Sequence, residues 1–380
     1  MSLRIKRAAS SATDPVAAVD EVYAGVHQAA AALTIFYCSP RYDLPALAAA
    51  LVARFGADAP LIGCTTTAEI TPTGYREGSL TAVSLAAADL AVDIERIDAL
   101  HAFELEQGAS AAQRARGALM ADGGHVDASN TFAFLLADGL ASQEEALVTS
   151  IYHALGGIQL CGGSAGDGVR FEQTHLYHRG RFHTDCALLT LVRSPAEFRV
   201  FKTEHFVPSS EQLVVTGADP GRRVVSEING EPAAVEYARI CGVPAEALSP
   251  MVFATHPVTV TLGGSVFVRS IQKVNPDGSL TFFCAIDEGI VLRVARGGDM
   301  VENLADAFAG VVREIGVPAL VLGCDCVLRY LEIEQAQLRP AIDALMTRHN
   351  VIGFATYGEQ FNAMHVNQTF TGVAIAASRG

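Results

Sequence analysis

The sequence has no tryptophan, few charged residues, no basic stripe and no long apolar run. Charged residues make up 18% of the chain, and no apolar stretch approaches the roughly 20 residues that a membrane-spanning helix needs. The 27 Lys and Arg residues are outnumbered by 41 Asp and Glu residues, which gives a net charge of −14. We therefore expect neither nucleic-acid binding nor attachment to an anionic membrane.

Closely spaced cysteines and the short motifs of common enzymes are also scarce. Most of the eight cysteines occur singly in apolar runs, which favours reduced, buried thiols in the cytoplasm over a disulfide framework. The chain contains no His-Glu-x-x-His and no nucleotide-binding loop with Lys-Ser/Thr, so we expect no enzyme. The N-terminal MSLRIKRAASSATD lacks the apolar core of a secretory signal, and we expect a frayed polar lead-in there.

Half of the residues are apolar, and their order indicates one supersecondary unit that occurs three times. The copy from residue 61 has an apolar strand, a small-residue loop, an acidic residue and a second strand. The closing stretch, residues 351–377, has the same layout, and IQLCGGSAGDG begins a third copy between them. In each copy a small residue precedes an acidic one by the same interval. These pairs are Gly63 and Glu69, Cys161 and Asp167, and Gly353 and Glu359.

The copies alternate strand, helix and strand with short loops, which predicts right-handed βαβ units with parallel strands. From about residue 201 to 294 the chain instead alternates polar and apolar residues in short runs, which is typical of antiparallel strands. We therefore predict an α/β fold, with βαβ-type repeats in the N-terminal half and an antiparallel-rich α/β C-terminal half closed by a third βαβ-like unit. The predicted domains are a lead-in helix within 1–30, an α/β domain over 31–215 and a second over 216–380.

Capping residues set the predicted helix boundaries. Asp14 and Asp43 are placed to cap helices that begin at the residues after them. Ser142 is expected to cap a helix that stops at Gly156. A single helix is expected near residues 333–348.

Several ordered segments resemble the FIST domain family. They are GCTTTAEI, GGSAGD, VVSEINGEPAAVEYARICG and GFATYGEQ with the NQTFTGVAI that follows, and the likeness spans residues 30 to 377. The resemblance implies a ligand-sensing module with a FIST N-type half over 31–215 and a FIST C-type half over 216–380. Within the family, a stand-alone chain of this size is similar to the nitric-oxide-sensing haem proteins called NosP.

This resemblance implies a cytoplasmic signalling protein that senses nitric oxide through haem b. The haem would be held without a covalent link, since the chain has no Cys-x-x-Cys-His. The implied partner is a separate sensor histidine kinase, and a homo-oligomer is left open. The alternative is a non-haem sensor of a small metabolite such as an amino acid, which an apolar pocket with a few polar groups would serve equally well.

A haem iron needs one donor such as imidazole in a dry pocket, with the second ring nitrogen held by an acceptor. His256 is the favoured iron ligand, because Pro257 restricts its backbone to an extended conformation and apolar residues flank it. His365 is the second choice. For both, a satisfied core or rim histidine stays open as an interpretation. The polar residues near His365 in sequence are Asn362, Asn367 and Gln368.

The other nine histidines have plainer explanations. Three share one hairpin, where strand alternation places His175 and His178 on opposite faces, so they cannot chelate a metal together from a regular strand. Six lie among polar residues and are expected at the surface. These are His27, His101, His125, His153, His205 and His349.

Three further groups of residues could form a site. Glu69, Asp167 and Glu359 would form a carboxylate set if they converged, although capping a turn in each repeat explains their recurrence as well. The loop GGSAGDG leads into a hairpin instead of a helix, so it lacks the context of a nucleotide-binding loop. Cys324 and Cys326 share a strand face, and thiolate ligation of haem is a minor alternative.

Overall fold

The computed structural model of the chain describes residues 3–121, 123–262 and 265–377. Within these ranges, three copies of one α/β unit each build most of a six-stranded sheet. An eight-stranded antiparallel sheet lies in a segment that is inserted into the third copy. The α/β fold predicted from the sequence is confirmed.

The first unit follows the order strand, helix, strand, helix, strand, hairpin, strand. Its elements are β1 (Arg4–Ser10), α1 (Pro15–Val26), β2 (Leu33–Cys38), α2 (Leu44–Phe55), β3 (Leu61–Thr65), the hairpin of β4 (Glu69–Thr71) and β5 (Gly74–Arg76), and β6 (Leu80–Ala86). The predicted caps are confirmed, because the side chains of Asp14 and Asp43 accept hydrogen bonds from first-turn amides. The frayed lead-in is wrong, because Arg4–Ser10 pair with β6 along their whole length.

The second unit repeats this order. Its elements are β7 (Ala91–Asp98), α3 (Leu105–Met120), β8 (Thr131–Ala137), α4 (Glu144–Leu155), β9 (Gln159–Ser164), the hairpin of β10 (Leu176–His178) and β11 (Arg181–His183), and β12 (Cys186–Arg193). Gly156 ends α4 in the left-handed conformation, as predicted. The predicted cap is wrong: Gln143 is the N-cap residue, and Ser142 has a positive φ of 57°.

The third unit begins with β13 (Phe198–Thr203), and an inserted segment follows it. The elements of this segment are β14 (Phe206–Asp219), β15 (Val224–Ile228), β16 (Glu231–Pro232), α5 (Ala233–Cys241), α6 (Pro250–Thr255), β17 (Val258–Leu262), β18 (Ser265–Arg269), β19 (Ile271–Val274), β20 (Leu280–Phe282) and β21 (Val291–Gly297). Its strands pair antiparallel, as the alternating sequence predicts. The domain boundary predicted between residues 215 and 216 falls within β14 and stays a prediction.

The rest of the third unit returns to the order of the first two. Its elements are α7 (Met300–Ile315), β22 (Pro318–Cys326), α8 (Val327–Gln335), α9 (Arg339–Arg348), β23 (Val351–Thr356), the hairpin of β24 (Glu359–Phe361) and β25 (Met364–Val366), and β26 (Phe370–Ala376). The single helix expected near 333–348 is wrong. The chain breaks at Gln337, whose φ is 56°, because Pro340 cannot continue the preceding helix and instead lies in the first turn of α9.

The three hairpins are exchanged between the units. Each sheet has a parallel pair at its centre, formed by β2 and β3, by β8 and β9, and by β22 and β23. The hairpin of the first unit pairs with β23, that of the second pairs with β3, and that of the third pairs with β9. Each unit therefore completes the sheet of another unit, and the three exchanges close a ring.

The three sheets enclose one apolar core and carry helices on their outer faces. The central core draws residues from all three sheets, including Tyr37, Phe134 and Phe354. The outer layers are α1 and α2, α3 and α4, and α7 to α9, and the inserted segment has an apolar core of its own. None of the helices in the described ranges is long and apolar enough to cross a membrane.

A substitution at Gly353 tests how closely β23 packs on β22. A Cβ atom at this position would overlap the carbonyl oxygen of Gly323, so Gly353→Ala forces the two strands apart. We expect this change to lower the free energy of unfolding by about 1–3 kcal/mol, measured by urea denaturation. The control is Gly117→Ala in α3, where a Cβ meets no atom within 4 Å and stability should rise by up to about 1 kcal/mol. Equal stability of the two variants would contradict the steric explanation.

Candidate functional site

The three exchanged hairpins occupy equivalent positions, and their differences locate a site. Each hairpin packs on a helix of the unit whose sheet it joins. These helices are α9 for the first hairpin, α2 for the second and α4 for the third. The strand pairing places one residue of each hairpin at the same position. These residues are Tyr75, Phe182 and His365.

The first two of these residues have well-matched surroundings. The hydroxyl of Tyr75 donates a hydrogen bond of 2.6 Å to Asp325, which also accepts one of 2.6 Å from Arg329. Phe182 makes edge-on contacts with Phe36 and Tyr177, with ring centroids 6.2 and 5.2 Å apart. A polar side chain is thus bonded in the first hairpin, and an apolar one meets other aromatic rings in the second.

The third hairpin buries polar groups that have no partner within the described part of the chain. Both ring nitrogens of His365 and both polar side-chain atoms of Asn367 are buried without a hydrogen bond, as are the side-chain oxygens of Gln360 and Gln368. Each buried polar group left unbonded costs about 1–3 kcal/mol. Such a concentration at one place therefore points to a bound polar ligand or ordered water that supplies the missing bonds.

These side chains share one space. A Cβ atom at Gly358 would overlap the ring of His365 and lie 3.2 Å from Asn367 Nδ2. Gln360 is the cross-strand partner of His365, so the two side chains lie on the same face of the hairpin. The hydroxyl of Thr149 in α4 donates to the carbonyl of Ala363 at 3.1 Å and fixes the hairpin turn on the helix.

A charged wall faces this space from α4 and from the inserted segment. Arg223 donates to the carbonyl of Phe283 at 2.6 Å and to Glu144 at 2.8 Å, and it also binds Glu145. The backbone amide of Ala285 donates to the other oxygen of Glu145 at 2.6 Å. We refer to the whole group as the hairpin site. Its members are Glu144, Glu145, Arg223, Gln360, His365, Asn367 and Gln368.

Burial sets the charge of the two groups at the centre of the site. It lowers the pKa of His365, against the opposing effect of Glu145 and Glu144, so the imidazole is neutral at pH 7. Burial would raise the pKa of Glu145, but the charge of a protonated His365, the charge of Arg223 and the amide of Ala285 act against burial and hold this pKa below its ordinary value. Because burial keeps His365 neutral at pH 7, Arg223 and the amide of Ala285 are the groups that stabilise the carboxylate there. The site therefore combines a neutral imidazole with an ionised carboxylate.

Gln368 joins the hairpin to the inserted segment through a strained backbone. Its φ is 51°, a left-handed conformation that costs a residue with a Cβ about 1–2 kcal/mol. The equivalent residue of the first hairpin is Gly78, which adopts such a φ without this cost. The Gln368 amide donates to the carbonyl of Ala254 in α6 at 2.9 Å. The strain is therefore retained at a point where the hairpin contacts the inserted segment.

The first unit has an open cleft at the equivalent place. Its volume is about 350 Å³, and its lining includes Glu77, Gly78 and Tyr330. Glu77, which takes the position of Asn367, accepts a hydrogen bond of 2.7 Å from the hydroxyl of Tyr330. In the third unit the inserted segment lies over this position and the polar groups are left unbonded. The hairpin site thus corresponds in position to the open cleft of the first unit, but the inserted segment covers it and several of its polar side-chain atoms have no hydrogen-bond partner among the described residues.

The two histidines singled out from the sequence lie in different surroundings. His365 is in the hairpin site near Asn367, which does not bond to its ring. His256 is half-buried at the C-terminus of α6, where its Nδ1 lies 2.9 Å from the hydroxyl of Thr255. Among the described residues, no three His, Cys, Asp or Glu side chains are grouped to hold a metal ion. The assignment of either histidine to haem iron stays a prediction.

The recurring carboxylates cap turns, as one of the two interpretations predicted. Glu69 accepts hydrogen bonds from the amide and hydroxyl of Ser79 at 3.0 and 2.7 Å. Glu359 does the same with Thr369 at 3.1 and 2.8 Å. Asp167 accepts from three successive amides of the loop after it, at residues 171–173. Each carboxylate therefore serves its own loop.

Two histidines expected at the surface are buried, so that expectation is wrong for them. His205 accepts a hydrogen bond from Arg329 at 2.8 Å and contacts Glu332 at 3.1 Å. His349 stacks on Phe308 with ring centroids 4.4 Å apart. Polar neighbours in sequence do not reveal partners that come from distant elements. The other four, at positions 27, 101, 125 and 153, are exposed as expected.

Sequence patterns reveal only part of the hairpin site. They single out His365 and its neighbours in the closing stretch. They do not reveal Glu144 and Glu145, because acidic residues in the first turn of a helix are ordinary partners of the helix dipole. Arg223 gives no local signal, since its carboxylate partners lie in another unit.

A substitution at Asn367 tests whether its buried polar atoms lack hydrogen-bond partners in the free protein. Asn367→Leu replaces two buried, unbonded polar atoms with an apolar side chain of similar size, so the free energy of unfolding should rise by about 1–3 kcal/mol. Tyr75→Phe is the matched control at the first hairpin, where loss of the bond to Asp325 should lower stability. Urea denaturation measures both. A loss of stability in Asn367→Leu would show that Asn367 is bonded in the free protein.

Glu69 predicts a pH dependence of stability. Burial raises its pKa from 4.5 to about 7, against hydrogen bonds from Thr66 and Ser79. A carboxyl with a raised pKa in the folded state stabilises the fold below pH 4.5 and loses this contribution as the pH rises through about 7. Glu69→Gln cannot ionise and should flatten this decline in urea titrations across the range. Glu106→Gln, at an exposed position of α3, should keep the wild-type slope, and an unchanged slope in Glu69→Gln would refute the assignment.

Two family models match the chain in succession. The FIST N domain model matches residues 32–231, and the FIST C domain model matches residues 233–362. No curated protein matches the chain. FIST domains are generally sensory domains of signalling proteins, and they bind ligands instead of catalysing reactions. With both halves matched over most of its length, the chain belongs to the FIST family.

Proposed function

We propose that this FIST protein senses a small polar ligand, with an amino acid as the candidate class, in the hairpin site. The observation that carries the proposal is the group of buried, unbonded polar atoms on His365, Asn367 and Gln360. An amino acid offers hydrogen-bond donors and acceptors within a small volume, so it can satisfy these atoms together. Its binding would remove the cost of leaving them unbonded.

The inserted segment is the element through which binding would be transmitted. It is tied to the edge of the site by Arg223, which binds α4, and by the contact between Gln368 and Ala254. A ligand changes the population of two conformations only when it binds them with different affinity. A ligand in the site would either weaken or strengthen the contacts of Arg223 with α4 and of Gln368 with Ala254. It would therefore favour one position of the inserted segment over another. The proposed reader of this change is a separate sensor histidine kinase in the cytoplasm.

Haem-based sensing of nitric oxide is the second candidate function. It is supported by the buried imidazole of His365, which has an unbonded nitrogen that could bind iron. Its second nitrogen lacks the acceptor that usually orients an axial histidine. The neighbouring Glu144, Glu145 and Arg223 are charged, whereas the haem macrocycle needs apolar walls. The residues around His365 leave an imidazole available to bind iron, but they do not form apolar walls for the macrocycle. A small polar ligand is therefore better supported than haem. His256, half-buried at the end of α6, is the other candidate iron ligand.

A thermal-shift screen of the full chain separates the two candidates. The proteinogenic amino acids are tested one by one, and haemin is tested in parallel with an absorption spectrum. A ligand at a hundredfold excess over its Kd stabilises the folded state by about 2.7 kcal/mol, which raises Tm by several degrees. We expect at least one amino acid to do so, with the shift reduced in Asn367→Leu and kept in Glu106→Gln.

The haem outcome has its own signature. A Soret band that disappears in His365→Ala or in His256→Ala, together with no shift from any amino acid, would overturn the first proposal in favour of haem. A shift from an amino acid and a featureless haemin spectrum would remove the second candidate.

A further inference from the structure

The hairpin site contains more negative than positive formal charge among its bonded groups. Two carboxylates, Glu144 and Glu145, share the single guanidinium of Arg223, with side-chain exposures of 3%, 27% and 7%. Arg223 also donates to the carbonyl of Phe283. A buried charge without a counter-ion costs several kcal/mol. The two carboxylates therefore share one formal positive charge, and the N-terminus of α4 and the amide of Ala285 stabilise them further.

Among the described residues, the other titratable groups facing the site form no ion pair with these carboxylates. His365 is neutral at pH 7, because burial lowers its pKa. Arg269 in β18 acts on His365 from the inserted segment, but it forms no ion pair with either carboxylate in the described ranges. The charge of Arg269 reduces the excess of negative charge in the site, but Arg269 does not bond to the carboxylate oxygens of Glu144 or Glu145. The more exposed carboxylate, Glu145, is the one that a ligand can reach.

The unbonded atoms of the site are mainly hydrogen-bond acceptors. The amide nitrogen of Gln360 donates to the hydroxyl of Ser164 at 2.9 Å and that of Gln368 donates to Ala254, which leaves both amide oxygens as free acceptors. Asn367 adds one oxygen and one NH₂ group, and neutral His365 adds one acceptor and one donor. A ligand that fits this set presents more donors than acceptors at this end.

A protonated primary amine satisfies both requirements, since it has three donors, no acceptor and a positive charge. Building on the proposed function, we infer that the hairpin site recognises its ligand through such an amine, with Glu145 as the counter-charge and the oxygens of Asn367 and Gln360 as acceptors. The ligand class is then amines, including amino acids bound by their α-ammonium group. Carboxylic acids and hydroxy acids without an amine are rejected, because they would add a negative charge beside Glu145 and leave the oxygens of Asn367 and Gln360 without enough donors.

Matched analogues test the inference on the full chain by isothermal titration calorimetry. One set is L-leucine, its hydroxy analogue L-2-hydroxyisocaproate and its decarboxylated analogue isoamylamine. Other sets are L-alanine, L-lactate and ethylamine, and L-glutamate, L-2-hydroxyglutarate and γ-aminobutyrate. In the set that binds, we expect the amino acid and the amine to bind at least tenfold more tightly than the hydroxy acid.

Two variants test whether the preference for amines over hydroxy acids arises at the hairpin site. Glu145→Gln should weaken binding of the amino compounds at least tenfold and erase their advantage over the hydroxy acid, whereas Glu106→Gln should leave both unchanged. If Glu145→Gln does not fold, Asn367→Leu tests the same ranking, because it removes one acceptor and is expected to raise stability.

The outcomes separate this inference from the proposal beneath it. A hydroxy acid that binds as tightly as its amino counterpart would overturn the amine inference and leave the polar-ligand sensor standing. Failure of every compound in the three sets, together with no shift in the amino acid screen, would overturn both.

Discussion

The edge strands β3, β9 and β23 would each expose a row of unpaired backbone N–H and C=O groups if the three units stood apart. Such edges are unstable and pair readily with another strand. In this fold each edge is closed by a hairpin from another unit, so none of the three six-stranded sheets is complete without residues from another unit. The three units are thereby held around one core.

The same exchange creates the candidate site. Because a hairpin lies on a helix of another unit, its central side chain meets residues that are distant in sequence. Tyr75 and Phe182 are matched to those surroundings, but the ring of His365, buried beside Asn367, has no hydrogen bond from the part of the chain that the structure describes. Departures from full satisfaction are expected at functional sites, where a sequence retains groups that reduce stability. The inserted segment covers this hairpin, which isolates its polar groups from solvent.

The inserted segment also gives the site a means of transmission. Arg223 is shared between its own segment and the first turn of α4, and Gln368 holds the carbonyl of Ala254 despite a strained backbone. Both contacts lie at the boundary between the ligand site and a segment with its own core. A sensory module needs such a boundary, because ligand binding has to change the relative stability of two arrangements.

The sequence by itself determined the local structure. Asp14 and Asp43 cap helices because capping involves only neighbouring residues, and the strand–helix alternation and the repeated glycine–acid spacing predicted three α/β units and a family resemblance. His365 was also within reach as a candidate. Only the tertiary structure decided that β1 joins a sheet, that His205 is buried, that the hairpins are exchanged, and that Arg223 meets Glu144. The physical reason is that periodicity records which face of an element is apolar, whereas the element that covers this face is chosen by long-range pairing and packing.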